Sequence, residues 1–109
     1  MTLEADLVDA QAVESMFQAI DAAFGRIDIL VSKHSIVRSI AIDDIDDNAM
    51  EEMFAENFFS FCRVTRAAVK RMKRQGGGKI VAVTSLVAIT GAATVLTPVV
   101  PCSGFNSAG

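Results

Sequence analysis

Two short apolar runs, held apart by a long helical pattern, most constrain the fold of this chain. Residues 27–32 read IDILVS and residues 79–85 read KIVAVTS. Each is short, rich in β-branched residues and mostly apolar, which predicts strands covered on both faces. Residues 47–75 between them carry an apolar stripe at helical spacing: Met50, Met53, Phe54, Phe58, Phe61, Val64, Ala68 and Met72. A tight turn joins only antiparallel strands. A crossover of this length implies parallel pairing with right-handed winding. The predicted class is therefore α/β.

A further helix is predicted over residues 9–24. Val13, Phe17, Ile20 and Phe24 recur at helical steps, and Met16 widens the stripe. Asp9 suits the N-cap and Gly25 the stop. Asp43, Asp44, Asp46 and Asp47 cluster ahead of the long helix. They resemble a calcium loop only in charge, because the turn glycine is missing and Phe54 stands where the bidentate Glu belongs. Their expected role is to offset the dipole of the helix that follows. That helix has room for a break near Asn57. Lys70, Arg71, Lys73 and Arg74 crowd its last turns, where cations are favoured. They read as a solvated face, with an anion-binding patch as the alternative. Gly76, Gly77 and Gly78 read as a helix stop. A phosphate loop needs the order strand, glycines, helix, and here the order is reversed. Pro98 and Pro101 forbid a regular helix across the tail.

The 109 residues suffice for one small domain, taken as residues 1–109. A net charge of −3 without a basic stripe argues against a nucleic-acid partner. No apolar run approaches the roughly 18–20 residues of a membrane span. The acidic start, MTLEADLVD, does not read as a secretory signal. Cys62 and Cys102 lie far apart without metal-ligand spacing. No metal site is predicted, and two free thiols in a reducing, cytoplasmic compartment are the plain reading.

Ligands of open parallel sheets bind beyond the carboxyl ends of the strands. Ser32-Lys33-His34-Ser35 and Thr84-Ser85 occupy that place here. Asn57, polar within an apolar stretch of helix, is the third candidate. A hydrolase elbow would read G-x-S-x-G, whereas this chain has Val83-Thr84-Ser85-Leu86-Val87. His34 reads as an ordinary loop residue, and nothing beside Cys102 marks it as a reactive thiol.

With these sites placed, the chain resembles the central part of a short-chain dehydrogenase/reductase. Phe24-Gly25-Arg26-Ile27-Asp28-Ile29-Leu30-Val31 is similar to the family's approach to its fourth strand. Asp6-Leu7 falls where the family sets an Asp-hydrophobic pair against the cofactor adenine. Glu56-Asn57-Phe58 matches the asparagine of the family's long helix. Gly78-Lys79-Ile80-Val81-Ala82-Val83-Thr84-Ser85 matches its fifth strand and catalytic serine. The resemblance implies a partial Rossmann-like, doubly wound parallel sheet. It implies NAD or NADP as cofactor and hydride exchange with a carbonyl or alcohol. It gives Ser85 the substrate oxygen to orient and gives Asn57 a water or backbone group to hold in a proton relay. It assigns cofactor contacts to Asp6, Leu7, Ser32, Lys33, His34 and Ser35.

The departures carry equal weight. Ser32-Lys33-His34-Ser35 replaces the family's Asn-Asn-Ala-Gly, which adds bulk and removes the glycine's backbone freedom. The family's acid, a tyrosine, falls on Pro98, and its lysine falls on Cys102; the chain has no tyrosine at all. Proline cannot transfer the proton, and a neutral thiol cannot replace the ammonium charge. The Gly-rich turn for the pyrophosphate, and the residue that separates NAD from NADP, would precede residue 1. The expectation is an oxidoreductase homologue inactive by itself. Two other readings stay open. One is an interaction module using helix 47–75, pairing with itself or with a full-length relative. The other is a truncated product with no function of its own. Exposed Phe or Met on the helix's outer face would favour the interaction module. In the family's sheet, strand 27–32 borders the first strand, so its edge here is expected to lie open and to invite association.

Overall fold

The computed structural model describes residues 1–85. The expectations placed on Pro98, Cys102 and the tail lie outside the described residues. The elements are α1 (Ala10–Phe24), β1 (Ile29–Ser32), α2 (Asp47–Phe54), α3 (Ser60–Gln75) and β2 (Lys79–Ala82). A 3-10 turn, Ile42–Asp44, precedes α2. A π-helical turn, Ala55–Phe59, joins α2 to α3.

Local chemistry sets the helix ends. Asp9 caps α1, its carboxylate accepting from the Gln11 N–H at 2.8 Å. Gly25 stops it at φ 72°, and its N–H donates to the Asp21 carbonyl at 2.9 Å. Among the four expected acids, Asp46 makes the cap of α2, accepting from the Ala49 N–H at 2.7 Å. Asp43 and Asp44 sit in the 3-10 turn instead. At the end of α3, Gly76 adopts φ 98°. Gly77 N–H reaches the Met72 carbonyl at 2.8 Å and Gly76 N–H the Lys73 carbonyl at 3.4 Å, the two bonds of a Schellman stop. The break expected near Asn57 takes the form of one widened turn, with helical backbone on both sides.

β1 and β2 pair in parallel, with Ile29 opposite Lys79 and Ser32 opposite Ala82. This is the α/β architecture of a partial Rossmann-like sheet. Both strands are shorter than residues 27–32 and 79–85. Ile27 is withdrawn from the ladder because the Gln75 amide takes its N–H at 3.1 Å and donates to its carbonyl. One backbone bond continues past each strand end, Lys79 to Asp28 and Val83 to Ser32, both at 2.8 Å.

α1 and α3 pack together over one face of this sheet. Val13, Phe17, Val64, Ala68 and Met72 form the core there, joined by Leu7, Ile27 and Leu30. The expectation that both strand faces are covered is corrected. Ile29 and Val31 are each 60% exposed and Val83 is 52% exposed. Their apolar side chains alternate onto the face opposite the helices, and no described element lies over it. Phe24, expected in the buried stripe, is likewise exposed. A second correction concerns the basic cluster. Arg71 is buried, bonded to Asp21 and Glu14 of α1, while Lys70, Lys73 and Arg74 remain outside.

Candidate functional site at the carboxyl end of the sheet

Parallel pairing in register fixes where the loops emerge. The segment after Ser32 and the segment after Ala82 leave the sheet at the same end. The Ser32 carbonyl still accepts from the Val83 N–H at 2.8 Å, so the two exits are tied together. Lys33, His34 and Ser35 follow on one side and Thr84 and Ser85 on the other, all exposed.

Asn57 reaches this group from the π-helical turn. Its Oδ1 accepts from the Ile36 N–H at 2.7 Å, and its Nδ2 donates to the Ile36 carbonyl at 2.8 Å. One amide side chain thereby pairs with a backbone as a neighbouring strand would. Both half-buried polar groups of Ile36 are satisfied, which a buried turn of chain requires. Two polar contacts flank the clamp. His34 Nε2 lies 3.3 Å from Glu56 Oε2, and Arg38 donates to Glu52 at 2.8 Å. Residues 34, 36 and 38 of the connector are thus fastened to the helix at three successive points. The flanking pairs are exposed and contribute little on their own. The amide clamp is therefore the main fastening.

Asp6 and Leu7 belong to the turn that leads into α1. Asp6 Oδ1 accepts from the Val8 N–H at 2.9 Å, and the Asp6 carbonyl accepts from the Asp9 N–H at 3.2 Å. Asp6 is exposed and Leu7 packs against the core. α1 leads back to β1 through a short turn, so this lead-in also lies toward the carboxyl end of the sheet.

The structure thus sets Ser32, Lys33, His34 and Ser35 on the loop that Asn57 clamps at Ile36, with Ser85 leaving the sheet beside it. Sequence reasoning did not find Glu56 or the Ile36 backbone. Glu56 had a signal, since it precedes Asn57 and shares its turn. Ile36 had none, because the clamp uses only its main chain. Cys62 is a free thiol. Among the described residues, no helix is long and apolar enough to cross a membrane.

The family model described as short chain dehydrogenase matches residues 1–97. The chain is 38% identical over 74 residues to "Glucose and ribitol dehydrogenase homolog 2" of Arabidopsis thaliana, covering 68% of this chain and 25% of that protein. It is 40% identical over 75 residues to "NADPH-dependent aldehyde reductase 1, chloroplastic" of the same plant, covering 68% and 25%. It is 32% identical over 92 residues to "L-rhamnose 1-dehydrogenase (NAD(P)(+))" of Sphingomonas sp., covering 84% and 36%. The chain spans about a quarter to a third of the length of these relatives. A parallel strand pair, a clamped strand-end loop and a serine leaving the next strand all fall within the matched residues, and the chain belongs to the short-chain dehydrogenase family.

Proposed function

We propose that this chain keeps the sheet-end scaffold of a nicotinamide-dependent oxidoreductase and, as it stands, does not turn over substrate. The observation that carries the reading is the Asn57–Ile36 clamp, which holds the loop after β1 although the residues within that loop have changed. Bound NADH or NADPH would supply a hydride to a carbonyl, and the oxidised nucleotide would take one from an alcohol. The residues present fit the adenine end of such a nucleotide, where Asp6 is exposed and Leu7 lines the apolar side. They do not fit its nicotinamide end. Lys33 and His34 add side chains where backbone must approach, and the Glu56 carboxylate is paired to His34 in the same place. Ser85 keeps a hydroxyl suited to a substrate oxygen. Pro98 and Cys102 stand in the sequence where the resemblance sets the proton donor and the cation that lowers its pKa, and neither residue type can do that work. A reducing, cytoplasmic setting suits a chain with Cys62 as a free thiol.

The test is NADH and NADPH consumption with a panel of aldehydes and ketones, for the chain and for Pro98→Tyr with Cys102→Lys. Neither should consume the nucleotide. Turnover by the chain would overturn the reading, and turnover by the double variant would show that the loop after β1 is no obstacle.

One observation favours an interaction module as the second reading. Met50, Phe54 and Phe59 are 38%, 42% and 50% exposed on the helix 47–75. Light scattering on the chain and on Phe59→Asp decides it. A dimer that dissociates on substitution supports pairing through this face, and an unchanged mass removes the face from consideration.

A further inference from the structure

We propose that the cleft between α1 and α3 binds a phosphate group carried on a small organic body. The cleft encloses about 320 Å³, with Arg63, Arg66, Lys70 and Glu14 as its charged walls and Ala10 and Val13 among its apolar ones. It lies in the helical layer, and none of its residues belongs to the sheet-end loop.

Positions 63, 66 and 70 recur at three- and four-residue steps, so their side chains stack along one helix face. Like charges at this spacing repel, and the face needs a counter-charge. Glu14 is already committed elsewhere. Its Oε1 accepts from Arg71 Nη2 at 2.9 Å, and that bond holds the carboxyl below its ordinary pKa. Arg71 is matched in turn by Glu14 and Asp21. The three cations of the cleft are thus left in excess over the carboxylates that face them.

Arg63 supplies a second, independent observation. Its Nη1 is shielded from solvent and has no acceptor among the described residues. A buried guanidinium donor without a partner costs its desolvation penalty with nothing in return. Arg63 lines the cleft, and a turn of its guanidinium toward the cleft would bring this donor to an anion there. Two guanidinium forks and an ammonium suit a tetrahedral dianion better than a single carboxylate. The volume exceeds that of a bare phosphate, and Ala10 and Val13 offer an apolar wall to the remainder of an ester.

The experiment titrates the full chain with inorganic phosphate and with phenyl phosphate at constant ionic strength. Backbone and arginine side-chain ¹H–¹⁵N shifts are followed. Saturable shifts are expected at Ala10 to Val13 and at Arg63, with binding about tenfold weaker in Arg63→Gln and in Lys70→Gln. Arg66→Gln, at an exposed position, repeats the test if either of those variants fails to fold. Tighter binding of phenyl phosphate assigns an ester, and equal affinities assign free phosphate; both keep the site. Shifts that rise without saturation, or affinities unchanged by the substitutions, overturn it. NADH titrated into the same variants should be unaffected, which separates this site from the nucleotide reading.

Discussion

Replacing Arg71 with methionine tests what fastens α1 to α3. Asp21 accepts from Arg71 Nε at 2.8 and 3.0 Å, Glu14 accepts from Nη2 at 2.9 Å, and the Ala67 carbonyl accepts from Nη1 at 3.2 Å. The guanidinium carbon stands 4.9 Å from the centre of the Phe17 ring. Burial works against the Arg71 charge. The bonds from Glu14 and Asp21 more than offset it and raise its pKa above the ordinary guanidinium value. The Arg71 side chain is 6% exposed, but those of Glu14 and Asp21 are 50% and 38% exposed. This asymmetry decides the magnitude. Breaking a fully buried pair costs about 3–5 kcal/mol because a buried charge is orphaned. Removing Arg71 orphans nothing, since water reaches both carboxylates. Each charge-assisted contact then falls from about 1.5–3 kcal/mol toward the ~1 kcal/mol of a screened pair. The ring contact adds about 1 kcal/mol. Methionine refills most of the volume, so Arg71→Met should cost about 2–3 kcal/mol. Arg71→Ala also opens a cavity and should cost more.

The assay is urea unfolding followed by far-ultraviolet circular dichroism, since the chain has neither Trp nor Tyr. A loss of 2–3 kcal/mol is a large share of the roughly 5–15 kcal/mol that holds a small domain together. A double-mutant cycle with Asp21→Asn should give a coupling of about 1–2 kcal/mol. A loss under about 0.5 kcal/mol in Arg71→Met, or no coupling to Asp21, would refute the claim that this ion network joins the helices.

Other outcomes follow from single contacts. Asn57→Ala leaves the Ile36 N–H and carbonyl without their partner, at a cost of about 1–3 kcal/mol. Faster amide exchange at Ile36 than in the β1–β2 ladder should report it. The Arg71 bond lowers the pKa of Glu14, so its stabilising effect is full above the unfolded value of 4.5 and is lost as pH falls through the lower folded value. Glu14→Gln should flatten that acid limb of the stability curve, and a limb identical to wild type would count against the pair. A Cβ on Gly78 would meet Met72 Cγ and Sδ at 2.5 Å, and Met72 is in the core. Gly78→Ala should therefore lower the unfolding midpoint by an amount equivalent to about 1–3 kcal/mol.

What the sequence made legible was set by local chemistry. Asp9, Gly25 and Gly76 each act on their own helix end, so the bounds of α1 and the end of α3 follow from nearby residues. The parallel pairing followed from the length of the crossover. Strand burial was not legible in the same way. An apolar run states that cover is favourable, not that an element supplies it, and Ile29, Val31 and Val83 lie on the face the helices leave open. Arg71 was grouped with Lys70, Lys73 and Arg74 by charge. Helical spacing held the better signal, since position 71 follows Ala68 by three and so falls beside the buried stripe of Val64, Ala68 and Met72. Asn57 was singled out by its polarity within an apolar stretch. Its partner was unreadable, because the clamp recognises main chain and places no demand on the side chain of residue 36.

That last point explains how a fold can persist while side chains at a site change. The sheet end is built from backbone bonds, such as Val83 to Ser32, and from one amide that grips another stretch of backbone. Neither depends on which side chains stand at 33 or 34. Substitution at those positions therefore leaves these bonds in place, while the chemistry proposed as lost would need a glycine, a phenol and an ammonium where the sequence has Ser35, Pro98 and Cys102. A chain can hold the fold of its family through contacts of about 1 kcal/mol each and still forfeit the chemistry, because the two are carried by different atoms. The proposed loss of turnover and the retained clamp are for this reason separate claims. Asn57→Ala tests the scaffold, and Pro98→Tyr with Cys102→Lys tests the chemistry.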